Sequence, residues 1–147
     1  YNKSISYYFK EEYKKTPEQL SVLLKEMIEA GNNISLKEYL VLLDEQKLLT
    51  KMFDKWMNNN YDILITLASA GEAPEGLNYS DKPDSTLIWT LLGLPTLIVP
   101  KYKGPNNMPF GFQIIGAKYK DYLVIEFAKK IKQLGVISDS SVVNVSI

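Results

Sequence analysis

Apolar positions recur at helical spacing over the first sixty residues and at strand spacing after them, and the change falls near Asn58-Asn59-Asn60. Ile5, Phe9 and Tyr13 lie one helical turn apart in a segment rich in Tyr and charge, which reads as the tail of a helix or a docking segment. Thr16-Pro17-Glu18-Gln19 predicts a helix start, with Thr16 as N-cap, Pro17 first in the helix and Gln19 third. Leu20, Leu23, Leu24, Met27 and Ile28 then form one apolar stripe, and Gly31 is placed to stop the helix. Ser35-Leu36-Lys37-Glu38 is a second capping box, opening a helix that runs to about Asn58. The run Leu40-Val41-Leu42-Leu43 and the later Leu49, Met52, Phe53, Trp56 and Met57 make this helix apolar on several faces, which calls for neighbours on several faces.

Beyond the asparagines, Tyr61-Asp62-Ile63-Leu64-Ile65-Thr66 reads as a short, mostly buried strand. Residues 67–85, with Gly71, Pro74, Gly76 and Pro83, form a loop long enough to be either functional or disordered. Asp84, Ser85 or Thr86 can cap a short helix through Leu92, ended by Gly93. Thr96 to Val99 is a second strand and Phe110 to Ile115 a third, antiparallel to it across the polar stretch Lys101–Met108. Asp121 is the expected cap of a last helix. Its inward residues are Leu123, Phe127, Ala128, Ile131 and Leu134, and Gly135 ends it. From Val136 the tail reads as a weak edge strand. The expected fold is α/β, with helices packed on a small mixed β-sheet. Residues 1–147 are read as a single domain, with a helical part over 1–60 and a sheet-containing part over 61–147.

Composition narrows the chemistry. At 147 residues the chain fits one domain with a real core. Seventeen basic and seventeen acidic residues cancel, so there is no electrostatic footprint for nucleic acid or an anionic membrane. With no cysteine and no histidine, disulfides, thiolate chemistry and zinc sites of the usual kind are excluded. No apolar run approaches the roughly 20 residues that span a bilayer, and the first residues carry no signal-peptide pattern, so a cytoplasmic setting is the default. A first residue of Tyr1 instead of Met suggests a processed or excised piece. The neighbouring carboxylates Glu11 and Glu12, Asp44 and Glu45, and Asp81 and Asp84 read as solvated faces and turns, not acid/base pairs. Ser69 follows a strand, where site residues often sit, but no base stands near it in sequence, and it reads as a loop hydroxyl.

An ordered set of short motifs carries a resemblance. Tyr61-Asp62, Thr66, Gly71-Glu72-Ala73-Pro74, Gly76-Leu77, Trp89, Leu92-Gly93-Leu94-Pro95, Pro100, Pro109, Gly111, Gln113, Gly116 and Asp121 follow one another as in the last part of the amidase signature family, serine hydrolases that cut C–N amide bonds. The chain resembles that family over nearly its whole length, most strongly from 61 to 134. Two departures stand out: Leu67 where the family usually has Pro, and Asn106-Asn107-Met108 in place of a Gly-Leu approach to Pro109.

The resemblance implies the C-terminal part of an α/β/α fold, working without metal or organic cofactor on a small amide substrate. The family's Ser nucleophile, bridging Ser and Lys base lie in a Gly/Ser-rich stretch with no counterpart here, so no catalytic residue is assigned. The implied partner is the N-terminal catalytic portion of the same enzyme, and the apolar helix from Leu36 predicts self-association, as a homo-oligomer, when that portion is missing. Thr66, Leu67 and Ala68, at a strand end, and Ile88 and Trp89, on the short helix, are the candidate substrate-binding residues. Gly93, Pro95, Pro100, Gly111 and Gln113 read as structural. The alternative is a non-catalytic scaffold or binding module derived from the same fold.

Overall fold

The computed structural model describes residues 1–76 and 86–137. The chain divides into two units, Tyr1–Lys47 and Leu48–Ile147, and the division falls inside a helix. The elements in chain order are α1 (Asn2–Tyr8), α2 (Lys10–Lys15), a 3-10 turn (Pro17–Gln19), α3 (Val22–Asn32), α4 (Leu36–Asn60), β1 (Ile63–Leu67), α5 (Leu87–Leu92), β2 (Thr96–Lys103), β3 (Pro109–Gly116) and α6 (Asp121–Gln133). The expected caps Asp84 and Ser85, the pair Asp81 and Asp84, and most of the expected edge strand after Val136 lie outside the described residues.

In the first unit, α3 starts later than its sequence predicts. Thr16 opens only the 3-10 turn, and its hydroxyl donates back to the Glu12 carbonyl (3.4 Å) instead of capping. The working cap is Ser21, whose Oγ accepts from the Leu24 N–H at 3.2 Å. Pro17 has the form of a helix start, but the chain turns extended again at Leu20 before α3 begins. Gly31 does not stop α3 either. It lies inside the helix and is buried because α1 crosses there: an added Cβ would run into the Asn2 carbonyl and sit 2.8 Å from the Ser6 Cβ. Glycine at this position is a requirement of close helix approach, and Ile28, one turn earlier, is buried on the same α3. Ser4 and Tyr39 hydroxyls meet at 3.0 Å, and Tyr13 Oη donates to Glu29 at 2.6 Å.

The capping box at the start of α4 forms as its sequence predicts. Glu38 accepts from the Ser35 N–H (2.8 Å) and hydroxyl (2.7 Å), while Ser35 Oγ accepts from the Glu38 N–H at 3.2 Å. These bonds hold the Glu38 carboxyl below the usual glutamate range, the Ser35 hydroxyl being the larger cause. The helix then runs through all three asparagines. Asn58 and Asn60 donate side-chain bonds to the carbonyls of Asp54 and Trp56, so they decorate the last turns instead of breaking them.

The second unit is a sheet between helices. Strand order is β1-β3-β2, and β3 is antiparallel to both neighbours. The sheet expected as mixed is therefore antiparallel throughout its described strands: β1 and β2 run the same way but are separated by β3. Buried on both faces, β3 carries a continuous buried run from Gly111 to Gly116. On one face Val99, Phe112 and Ile114 pack with Val124 and Ile131 of α6, joined by Ile63, Leu97, Phe127 and Ala128. On the other, Ile115 packs with Leu92 and Leu94, joined by Leu64, Trp89 of α5 and Phe53 of α4. Each fully buried Ile of β3 contributes about 1.5–3 kcal/mol of burial.

Three sequence expectations are corrected here. Pro100 does not end β2; the strand continues to Lys103 past a register shift between Pro100 and Tyr102, which an edge strand tolerates because its outer N–H groups need no partner. The N-cap of α6 is Lys120, and Asp121 is its first residue, where its charge suits the positive helix end. On α6 Val124 is buried, and at its C-cap Leu134 is two-thirds exposed (66%), the reverse of the expected inward set at those two positions. Gly93 and Gly135 do end their helices with positive φ (65° and 73°), and the Leu94 N–H bonds back to the Trp89 carbonyl.

Candidate functional site

Three of the candidate residues, Thr66, Leu67 and Ala68, stand at the C-terminal end of β1, and the other two, Ile88 and Trp89, stand on α5. Strand alternation divides them: Thr66 points to the sheet face that Leu64 and Ile115 share with Trp89, whereas Leu67, like Ile63, belongs to the α6 face. Thr66 and Leu67 therefore do not present side chains to one surface. The Leu67 side chain is exposed, and what it contributes on the Thr66 face is its carbonyl.

Gln113 organises this strand end. It stands opposite Thr66 in the β1–β3 register and opposite Ile98 in the β2–β3 register, and it is fully buried. Its Nε2 donates to Thr66 Oγ1 at 2.8 Å and to the Leu67 carbonyl at 3.1 Å. Gln113, which reads as structural in the sequence, thus satisfies a backbone carbonyl of the neighbouring strand, and its other partner is the candidate hydroxyl itself. Next along the chain, the Ala68 N–H donates to the Gly111 carbonyl at 3.0 Å. Gly111 has no side chain because β2 passes against it: a Cβ there would sit 2.8 Å from the Val99 carbonyl carbon and collide with its oxygen.

The short helix splits its two candidates in the same way. Ile88 is half exposed. Trp89 lies against the Leu92, Leu94 and Ile115 cluster with the Phe53 ring 5.9 Å away, and its buried Nε1 has no hydrogen-bond partner among the described residues. Trp89 is thus partly core, packed with Ile115 and Leu64 on the sheet face to which Thr66 also belongs.

Two polar residues here escaped the sequence reading. Glu72, inside the Gly71-Glu72-Ala73-Pro74 loop, accepts from the Asn106 backbone N–H (3.0 and 3.1 Å), the Asn106 side-chain amide (2.9 Å) and the Met108 N–H (3.1 Å). Asp54 of α4 accepts from the Lys118 N–H at 3.0 Å, tying that helix to the β3–α6 connection. Each lies more than thirty residues from its partner, beyond the reach of periodicity or local motif. The one usable signal was the polar stretch before Pro109, where the hairpin leaves the N–H groups of Asn106 and Met108 to an outside acceptor.

No acid–base pair or nucleophile with an adjacent base is assembled among the described residues. Ser69 Oγ donates to the Gly71 carbonyl at 2.6 Å, as a loop hydroxyl does. Among the described residues no cluster of acidic side chains is able to hold a metal ion, and no helix is long and apolar enough to cross a membrane. What the arrangement fixes is the backbone at the end of β1: Gln113 holds Thr66 and the Leu67 carbonyl, and the Ala68 N–H is bonded to Gly111.

No family model matches the chain. In sequence it is similar to the A subunit of the glutamyl-tRNA(Gln) amidotransferase of Borreliella afzelii (strain PKo), 33% identical over 101 residues, covering 62% of this chain and 20% of that protein. In fold it matches a crystal structure of an amidase (TM-score 0.75, 24% identity), covering 90% of this chain and 33% of that one. A bacterial aryl acylamidase of the amidase signature family matches with TM-score 0.58 and 23% identity, over 84% of this chain and 29% of that one. The structure of a 6-aminohexanoate cyclic dimer hydrolase matches with TM-score 0.66 and 14% identity, over 90% and 33%. The chain thus spans about a fifth of the curated relative and about a third of each of these solved chains. In sequence over part of its length and in fold over most of it, the chain resembles the amidase signature enzymes.

Proposed function

We propose that this chain is the C-terminal portion of an amidase-like serine hydrolase acting on carboxamide bonds. It supplies sheet, packing helices and part of the acyl pocket, and the N-terminal portion of the same enzyme supplies the nucleophile and base. The observation that carries this reading is the strand end where Gln113 fixes Thr66 and Leu67 from a neighbouring strand, within a fold shared with a third of an amidase. Pocket walls need fixed backbone, and ligands of open α/β sheets bind outside strand ends. Thr66 contributes its hydroxyl, Leu67 its backbone, Ala68 a small side chain, and Ile88 and Trp89 apolar surface. The substrate is a small amide, no metal or organic cofactor takes part, and the enzyme is cytoplasmic. Residues 1–147 make up one domain of that enzyme, with a helical part over 1–60 and a sheet-containing part over 61–147.

The experiment is to express the coding region that contains this chain together with what lies upstream of Tyr1, and to assay short and long acyl amides. The expected result is amide hydrolysis blocked by a serine-directed covalent inhibitor, with the isolated 147-residue chain inactive by about a millionfold or more. Ala68→Phe is expected to change the short-to-long activity ratio at an unchanged thermal midpoint. Turnover by the isolated chain that survives repurification overturns the division of labour, and an unchanged ratio overturns the wall. A start codon immediately before Tyr1 favours the second reading, a scaffold or binding module derived from the same fold.

A further inference from the structure

Glu72 is the polar anchor that the pocket reading leaves unused. Its carboxylate is seated on the β2–β3 turn, which is shaped to receive it. Asn107 takes a positive φ of 61°, the Asn107 N–H bonds to the Gly104 carbonyl, and Gly104 and Met108 close the turn with a bond of 3.0 Å. That leaves the N–H groups of Asn106 and Met108 facing one acceptor, and both carboxylate oxygens are used on them. Gly104 makes the seat possible, since a Cβ there would lie 2.6 Å from the Glu72 Cγ. A carboxylate on several N–H donors is the stronger class of hydrogen bond.

The consequence lies four residues upstream. Ala68 is held to β3 through the Gly111 carbonyl, and Glu72 is held to the β2–β3 turn. The segment between them, with the Ser69–Gly71 bond inside it, is fixed at both ends. We infer that Glu72 is a positioning residue for the substrate wall: its carboxylate makes the hairpin tip, remote from the pocket, set the path of the backbone that leaves β1. The inference rests on the pocket reading above. It also gives the departure Asn106-Asn107-Met108 a role, because these residues present the donors that Glu72 needs.

The test has two readouts. In the 147-residue chain, amide exchange is followed by NMR for Glu72→Ala and Glu72→Gln. The Ala variant is expected to speed exchange of Asn106 and Met108 by about tenfold or more, and of Ala68 with them, while the α6 amides stay unchanged. Gln keeps one acceptor oxygen and is expected to fall between. If Asn106 and Met108 accelerate and Ala68 does not, Glu72 pins only the hairpin and the inference is overturned. In the enzyme that carries the chain, Glu72→Ala is expected to raise KM for a long acyl amide by about fivefold with kcat and thermal midpoint little changed, and Glu72→Gln to restore part of it. Ala68→Phe is run beside it. A shifted acyl preference in Ala68→Phe with none in Glu72→Ala overturns the role of Glu72 and leaves the wall standing. No shift in either overturns both.

Discussion

Buried amides decide more at this strand end than the hydroxyl they serve. Gln113 is fully buried, and its Nε2 spans two acceptors on β1. Truncation to Ala removes both donors and leaves the Leu67 carbonyl and Thr66 hydroxyl without them, so Gln113→Ala is expected to lower stability by about 1–3 kcal/mol, read as a lowered denaturation midpoint. An unchanged midpoint would show that water replaces the amide at no cost. A second residue carries a pH signature. Bonds from Ser35 depress the Glu38 carboxyl in the folded chain. A depressed carboxyl stabilises the fold above its unfolded pKa, and the contribution is lost as pH falls through the folded value. The Glu38 carboxyl resonance should titrate below the ordinary glutamate range, and Ser35→Ala should bring its midpoint back up. Equal midpoints in the two proteins would mean the box does not persist in solution.

Helices announce themselves by caps, and at this scale the sequence is legible where a cap is local and misleading where two signals compete. Ser35 and Glu38 lie three residues apart and satisfy each other, so the start of α4 was readable. At α3 the stronger-looking signal, Thr16-Pro17, yields only a 3-10 turn, and the working cap is Ser21. Ser21→Ala is therefore expected to cost about 1 kcal/mol, and Thr16→Ala no more than about 0.5 kcal/mol. Equal losses would put the helix start back at Thr16. Strands β2 and β3 were legible as an antiparallel pair because a polar turn joins them, but their length was not, since Pro100 reads as a stop unless the strand is known to lie at an edge. Gly31 misled for a related reason. Glycine marks helix ends and close approaches alike, and only the fold shows α1 crossing it. The candidate site was half legible: the end of β1 follows from pattern, whereas the Gln113–Thr66 and Glu72–Met108 bonds join residues 47 and 36 apart.

For the whole molecule, the telling quantity is apolar surface left in water. Of the apolar run at the start of α4, Leu40, Val41 and Leu42 remain about half exposed, and Leu49, Met52 and Trp56 further along it do also; only Met57 is fully buried in this helix. Ile65 and Leu67 on β1 and Ile98 on β2 add an apolar margin at both sheet edges, each more than half exposed. Single exposed leucines are ordinary, but a helix with so little of its apolar surface covered and a sheet with apolar open edges present enough of it to drive association. Chains of this fold about three times as long have the additional residues with which to cover it, and this chain spans a third of them. The isolated chain is therefore expected to bind a hydrophobic dye and to sediment as a concentration-dependent mixture of monomer and larger species. Leu40→Lys and Leu49→Lys, made together on exposed positions, should shift it toward monomer with little change in thermal midpoint. A concentration-independent monomer that binds no dye would mean these faces are tolerated in water, and the need for a covering partner would go with it.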